Sequence, residues 1–244
     1  MISFEDHFNL GPAEARKYLK LALSLGGDFA EIYCEYRTYN YINMEEDIIK
    51  ETAESVSLGL GIRVTTGDQT GYGYTNDLSP EKIRQTALTA AAIAASGKSG
   101  SASPLRRIRP KAGIYPLTQP LSSTNMVKKI ELVCAAYDAC QKTDSKIKKV
   151  RVLFQDHVQH VNIINSEGVF AQDARPQAKL VCFAMAEKGQ RRESGFSGGG
   201  GRVGLEYFEK VLTPLQIGQE AAREALRLLE AVEAPAGEMP VVLA

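Results

Sequence analysis

The sequence predicts an α+β fold made of two similar helix/antiparallel-sheet/helix units, and three observations carry that expectation. Segments whose hydrophobicity alternates at every second residue come in runs rather than singly. Each run is bracketed by segments of helical period, unlike the strict strand and helix alternation of a parallel sheet. The same order of elements then occurs twice, so the chain reads as an internal duplication, expressed in element order more than in residue identity.

At 244 residues the chain is long enough to bury an ample core without staples. Lys plus Arg and Asp plus Glu both number 29, so the formal charge is zero and no global field favours nucleic acid or an anionic membrane. No apolar run approaches the roughly 18 residues of a spanning helix. The opening MISFEDHFNL is acidic where a signal peptide is basic and then apolar, so a soluble cytoplasmic protein is expected. Cys34, Cys134, Cys140 and Cys182 sit singly among apolar neighbours and read as buried free thiols.

The first unit spans residues 1–98. Pro12 suits the first position of a helix whose Ala15, Tyr18, Leu19, Ala22 and Leu25 recur at helical spacing until Gly26 and Gly27 end it. From Asp28 the period becomes two, with Ala30, Ile32, Cys34 and Tyr36 opposed to Glu31, Glu35 and Arg37. A second strand is expected over about residues 39–51. The third, over 55–65, directs Val56, Leu58, Leu60, Ile62 and Val64 inward and Ser57, Gly59, Gly61 and Arg63 outward. A turn at Gly67 leads to a fourth strand, 70–75, and Ser79 with Pro80 starts an alanine-rich helix to about Ala95.

Residues 99–120, rich in Gly, Ser, Pro and basic side chains, are expected to be a linker. The RRIRPK run at 106–111 reads as a solvated connector, because no aromatic residues interleave it. The second unit spans 121–235. Asn125 can cap a helix with Met126, Ile130, Val133, Cys134 and Tyr137 on one stripe. Strands follow at about 147–154, 157–165, 169–173, 178–187 and 190–196, and the box Thr213-Pro214-Leu215-Gln216 opens a last helix. Met239 begins an apolar run within 236–244 that reads as the first strand of a further domain.

Residues 190–208, QRRESGFSGGGGRVGLEYF, are the focus of any functional reading. Four consecutive glycines are costly to order, and with arginines and aromatics around them they read as a shaped loop rather than a linker. Bare backbone beside antiparallel strands suits an extended peptide adding as another strand, with an arginine holding a carboxylate. The candidate substrate-binding residues are therefore Arg192, Gly198, Gly199, Gly200, Gly201 and Arg202. His157 and His160 stand three apart in a strand and face opposite sides, which disfavours a shared metal. Neither GLGIRV nor SGGGGRVG fits a nucleotide fingerprint, and no catalytic or metal-binding residue is assigned in this chain.

Four segments in register, GLGIRVTTGDQTGYGYTND, NSEGVFAQDARPQAKL, SGGGGRVGLEYF and APAGEMPVVL, resemble the TldD branch of the TldD/PmbA family, also called modulators of DNA gyrase. The resemblance covers nearly the whole chain. It implies a cytoplasmic zinc metallopeptidase acting on unstructured peptides, in which a TldD-type subunit pairs with a PmbA-type subunit or with itself. In that family the zinc ligands are a His-Glu-x-x-x-His helix and a far cysteine, both beyond the segments matched here. The resemblance thus implies a non-catalytic N-terminal part that frames a substrate channel, inactive alone, with zinc bound elsewhere. A stand-alone peptide-binding or interaction module without enzymatic activity is the alternative.

Overall fold

In the computed structural model the described residues are 8, 10–95, 103–108, 121, 124–233 and 236–242. Helix α1 (Pro12–Ala22) precedes β1 (Phe29–Glu45), β2 (Ile48–Thr66) and β3 (Gln69–Thr75), and α2 (Pro80–Ile93) closes the first half. After a short β4 (Arg106–Ile108), the second half runs α3 (Met126–Gln141), β5 (Ile147–Asn165), β6 (Val169–Lys188), β7 (Arg191–Gly201), the single turn α4 (Tyr207–Lys210) and α5 (Pro214–Leu229). The fold is α+β, and helix, three strands and helix recur in that order in both halves. The structure shows the repeated order and nothing about its origin.

The two halves share one seven-stranded sheet. Its order is β3-β2-β1-β5-β6, with β4 and β7 both on the outer edge of β6, at opposite ends of it. The central pair is β1 with β5, antiparallel from Glu31 opposite Asn165 to Glu45 opposite Arg151. Cross-strand partners share a face. Ile32 lies opposite Ile62 and Ile164, while Ile42 lies opposite Phe154, itself opposite Leu180, and all six are buried. Because Ile32 and Ile42 are an even number of residues apart, one face of the sheet carries both cores. Helices α1 and α2 cover that face at one end through Leu19, Ala22, Ile83 and Ala87. Helices α3 and α5 cover it at the other through Val133, Tyr137, Ile217 and Ala221. The opposite face has no helix on it among the described residues.

Glycine sets how closely the last helix of each half can approach. A Cβ on Gly71 or Gly73 of β3 would strike the α2 backbone at Ala90 or Thr86, and one on Gly195 of β7 would strike the α5 backbone at Ala221. The capping box of α5 forms as its sequence predicts, Thr213 and Gln216 each accepting from the other's backbone N–H; such a cap contributes about 1 kcal/mol. Asn125 caps α3 by accepting from the Val127 N–H. Ser79 makes no side-chain cap on α2; the Asp77 carboxylate accepts the Ser79 N–H instead, at 2.9 Å.

Several expectations are corrected. The three strands expected between 28 and 65 are two: the middle one, 39–51, is the end of β1 and the start of β2, divided by a tight turn at Glu46 and Asp47, which adopt φ of 55° and 61° without the glycine or asparagine that normally marks such a turn. The expected pairs 147–154 with 157–165, and 169–173 with 178–187, are the single long strands β5 and β6. Pro176 is tolerated inside β6 because it falls between β4 and β7, where β6 has only β5 as a neighbour. Val56 continues the inward alternation of β2 yet is 58 % exposed, because neither helix pair reaches that part of the sheet. The expected linker contributes β4, paired in parallel with β6; the remainder of the RRIRPK run lies outside the described residues. Residues 239–242 form no strand, and Met239, Val241 and Val242 are exposed.

One ion pair is buried between the two cores. Lys129 of α3 lies 2.7 Å from Asp156 of β5, both about 97 % or more enclosed at the side chain, and Asn40 of β1 donates to the other carboxylate oxygen at 2.8 Å. It ties α3 to the centre of the sheet. Removing one partner of such a pair strands the other charge in a low-dielectric site.

Candidate functional site

The uncovered face is built from the side chains that alternate with the core: Tyr33, Glu35, Arg37 and Tyr39 on β1, and Gln155, His157 and Gln159 on β5. These types stay hydrated and make poor core, so the alternation that buries Ile32 and Cys34 also presents a polar, aromatic surface. Near the end of β7 this face sinks into a hollow of about 450 Å³. Arg37, Tyr39, His157 and Lys179 line its floor and one side, and residues 198–201 form the opposite wall.

The four glycines are the end of a strand, not a loop. They pair with β6, Gly198 opposite Val181 and Gly201 opposite Ala178. Alternation splits their roles. Gly199 faces the helices, where a Cβ would meet Leu212 and the Tyr207 ring. Gly198 and Gly200 face the hollow, and a Cβ on either would press on β6, at Val181 or at the Ala178 carbonyl. Gly200 and Gly201 have φ of 151° and 152°, a region open essentially to glycine alone. The wall is therefore bare backbone on an edge strand. Further along the same edge, Glu224 of α5 accepts the Phe196 N–H at 2.6 Å.

Electrostatics make this hollow basic. Arg37 lies 3.3 Å from His157 Nδ1 and 6.0 Å from the Tyr39 ring centroid. Since a guanidinium only donates, His157 Nδ1 must accept, which puts the imidazole proton on Nε2. Burial, and then the Arg37 charge, hold the His157 pKa below its ordinary value, against the smaller opposing pull of Asp156 and Glu35. At neutral pH the ring is a neutral donor beside two cations, Arg37 and the exposed Lys179. A carboxylate or a peptide carbonyl is the complementary ligand.

The structure brings Gly198, Gly199, Gly200 and Gly201 to the hollow. It does not bring Arg192 there: that side chain sits at the far end of β7 and pairs with Glu187 at 3.1 Å. Arg202 follows the last glycine and is half-buried outside the lining. Sequence reasoning missed Arg37, His157 and Lys179 as a group, because they come from three strands and only the register makes them neighbours. Cys34, Cys140 and Cys182 are buried and Cys134 half-buried, all as free thiols. Among the described residues no three of His, Cys, Asp and Glu come together as a metal site, and no helix is long and apolar enough to cross a membrane.

Comparison with known proteins agrees with this architecture. Residues 30–94 match the family described as PmbA/TldA metallopeptidase domain 1, and residues 120–229 match the PmbA/TldA metallopeptidase central domain. A metalloprotease TldD homologue of Haemophilus influenzae is 33 % identical over 222 residues, covering 88 % of this chain and 46 % of that protein. A metalloprotease of Methanocaldococcus jannaschii is 27 % identical over 223 residues, covering 89 % and 48 %. The chain thus spans about half the length of the curated relatives it matches. Among solved structures, a candidate modulator of DNA gyrase from Thermotoga maritima superposes with a TM-score of 0.69 at 19 % identity, covering 86 % of this chain and 46 % of that one. TldE from Thermococcus kodakarensis gives 0.66 at 17 %, covering 88 % and 47 %, so both share the fold.

Proposed function

This chain belongs to the PmbA/TldD metallopeptidase family, and we propose that it is the part of such a peptidase that holds an unstructured peptide in extended form, without cleaving it. The observation that carries the reading is the hollow at the end of β7, where a bare glycine wall on an edge strand faces Arg37, His157 and Lys179. An extended segment laid along residues 198–201 finds backbone donors and acceptors with no side chains in the way. An acidic side chain or a C-terminal carboxylate on that segment then meets two cations.

The metalloprotease relatives imply a metal, with zinc the one proposed. Among the described residues no donor set fits one, so no hydrolytic step is derived for this chain, and we propose that the metal is held by residues beyond those this chain matches in its relatives. Pairing with a PmbA-type subunit or a second copy, and a cytoplasmic location, belong to the same proposal. Pairing is supported by the outer edge of β2 before Leu60, where β3 does not reach and Ile48 and Val56 are more than half exposed.

The test is binding of a fluorescent, unstructured acidic decapeptide to the 244-residue chain, followed by anisotropy. Arg37→Ala with Lys179→Ala should weaken binding roughly 10- to 100-fold, the scale of two charge-assisted hydrogen bonds. Gly200→Val should do the same by closing the wall. Binding that ignores all three substitutions, or no binding at all, would remove the reading. Peptide cleavage by these residues alone would contradict its non-catalytic half.

A further inference from the structure

A second hollow, of about 520 Å³, opens on the same uncovered face over the first half of the chain. Its floor is β2 at Gly59 and Gly61, two glycines on the outward side of that strand. Register explains the shape. Gly61 lies between Tyr33 of β1 and Tyr74 of β3, and Gly59 lies opposite Glu35 of β1. The glycines empty the middle row while the strands on either side keep large side chains, so a trough runs between Tyr33 and Glu35 on one bank and Tyr72 and Tyr74 on the other. Tyr72 leans over Gly61, where any side chain would meet its ring. Over Gly59 the space is open, with only the Thr75 carbonyl oxygen near, 3.6 Å from where a Cβ would sit.

The chemistry is one carboxylate among three aromatic rings. Glu35 Oε2 accepts from the Tyr33 hydroxyl at 2.8 Å and from the Gln159 amide at 2.7 Å, neutral donors that orient the carboxylate and leave its charge in place. Two of the cations around it are engaged with other carboxylates, Arg63 with Glu31 at 3.2 Å and Arg175 with Asp173 at 2.7 Å. Tyr72 and Tyr74 are 58 % and 70 % exposed, so their ring faces are accessible from solvent. Ring faces and a carboxylate attract the same ligand, a cation on an apolar stem.

We propose that this trough is a subsite for one lysine or arginine side chain of a peptide lying across the sheet. The stem crosses Gly59 and Gly61, and the charge rests between Glu35 and the tyrosine rings. The inference builds on the reading of the uncovered face as a peptide-holding surface and gives that surface a polarity. An acidic group is held near β7 and a basic one near β3.

The experiment measures binding of three unstructured peptides to the 244-residue chain, identical except for a single lysine, norleucine or glutamate at one position placed to reach the trough. The lysine peptide should bind about 5- to 20-fold more tightly than the norleucine peptide, and the glutamate peptide should be weakest. Glu35→Gln and, separately, Gly59→Val should erase the lysine preference, the second by filling the floor at a position where the protein has room. Arg37→Ala should weaken all three peptides while leaving their ratio unchanged. Equal binding of lysine and norleucine peptides overturns the subsite and leaves the peptide-holding surface standing. Loss of all peptide binding removes that surface, and the trough is then judged by NMR titration with Nα-acetyl-lysine methylamide: shifts at Tyr33, Tyr72 and Tyr74 that vanish in Glu35→Gln uphold it, and their absence overturns it.

Discussion

The two halves of the sheet share an order of elements and differ in where they leave out side chains. In the first half the uncovered glycines, Gly59 and Gly61, sit on the second strand between two rows of large residues, and the result is an acidic, aromatic trough. In the second half the corresponding strand carries Lys179 and Val181, and the glycines gather at the end of the outermost strand, giving a basic hollow with a backbone wall. Opposite chemistry thus arises from one arrangement of strands by moving the glycines one strand outward. Beneath the sheet, the first helix of the second half is anchored through a buried ion pair, Lys129 with Asp156.

That anchor should give the largest effect. Lys129→Met strands the Asp156 charge and should cost roughly 3–5 kcal/mol in urea unfolding, while Lys129→Met with Asp156→Leu should recover most of the loss. A cost below about 1 kcal/mol for the single change would mean that the second half has no special anchor. What the halves share comes next. Gly71→Val and Gly195→Val each drive a side chain into a helix backbone, and both should cost about 1–3 kcal/mol or more in thermal unfolding; a large loss in one half alone would break the likeness of the helix contacts.

A smaller contrast separates the two glycine sites. Gly200→Ala should destabilise by about 1–3 kcal/mol, because its φ of 151° and the nearby Ala178 carbonyl leave no room for a Cβ. Gly59→Ala should change stability by no more than about 0.5 kcal/mol, its nearest neighbour being an ordinary 3.6 Å contact. The smallest effects are pH-dependent and of opposite sense. The folded pKa of His157 lies below 6.5, so its contribution is present above that pH and lost as pH falls through the depressed value; His157→Gln should flatten the acid side of a stability profile. The Tyr33 pKa is raised to about 12, first by burial and then by its bond to Glu35, so its contribution is complete below 10 and lost as pH rises through about 12. Tyr33→Phe should flatten only the alkaline side.

The helices were legible because their boundaries are written in local chemistry: Pro12, the Thr213 and Gln216 box, and Asn125 act over three or four residues. The uncovered face was legible too, as the polar half of each alternation. Strand lengths were not. A turn formed by Glu46 and Asp47 carries no glycine, and Pro176 suggests a break that the one-sided pairing of β6 makes unnecessary. In sequence the glycine run reads as a loop because four consecutive glycines are costly to order. It is a strand because only glycine lets β7 approach β6 at Val181 and Ala178 while Leu212 and Tyr207 press from the other side.

By itself, then, the sequence determined the α+β class, the repeated order of elements and the family, and it singled out residues 198–201 as a candidate site. These follow from periodicity, capping and motif, which act between residues near one another in the chain. Only the tertiary structure decided that both halves form a single sheet, that Arg192 belongs to a hairpin ion pair with Glu187, and that Arg37, His157 and Lys179 face the glycines. The reason is register: cross-strand neighbours more than a hundred residues apart, such as Arg37 and Gln159, are chosen by how two long strands slide against each other, and the burial of Ile32 on Ile164 and of Ile42 on Phe154 fixes that choice.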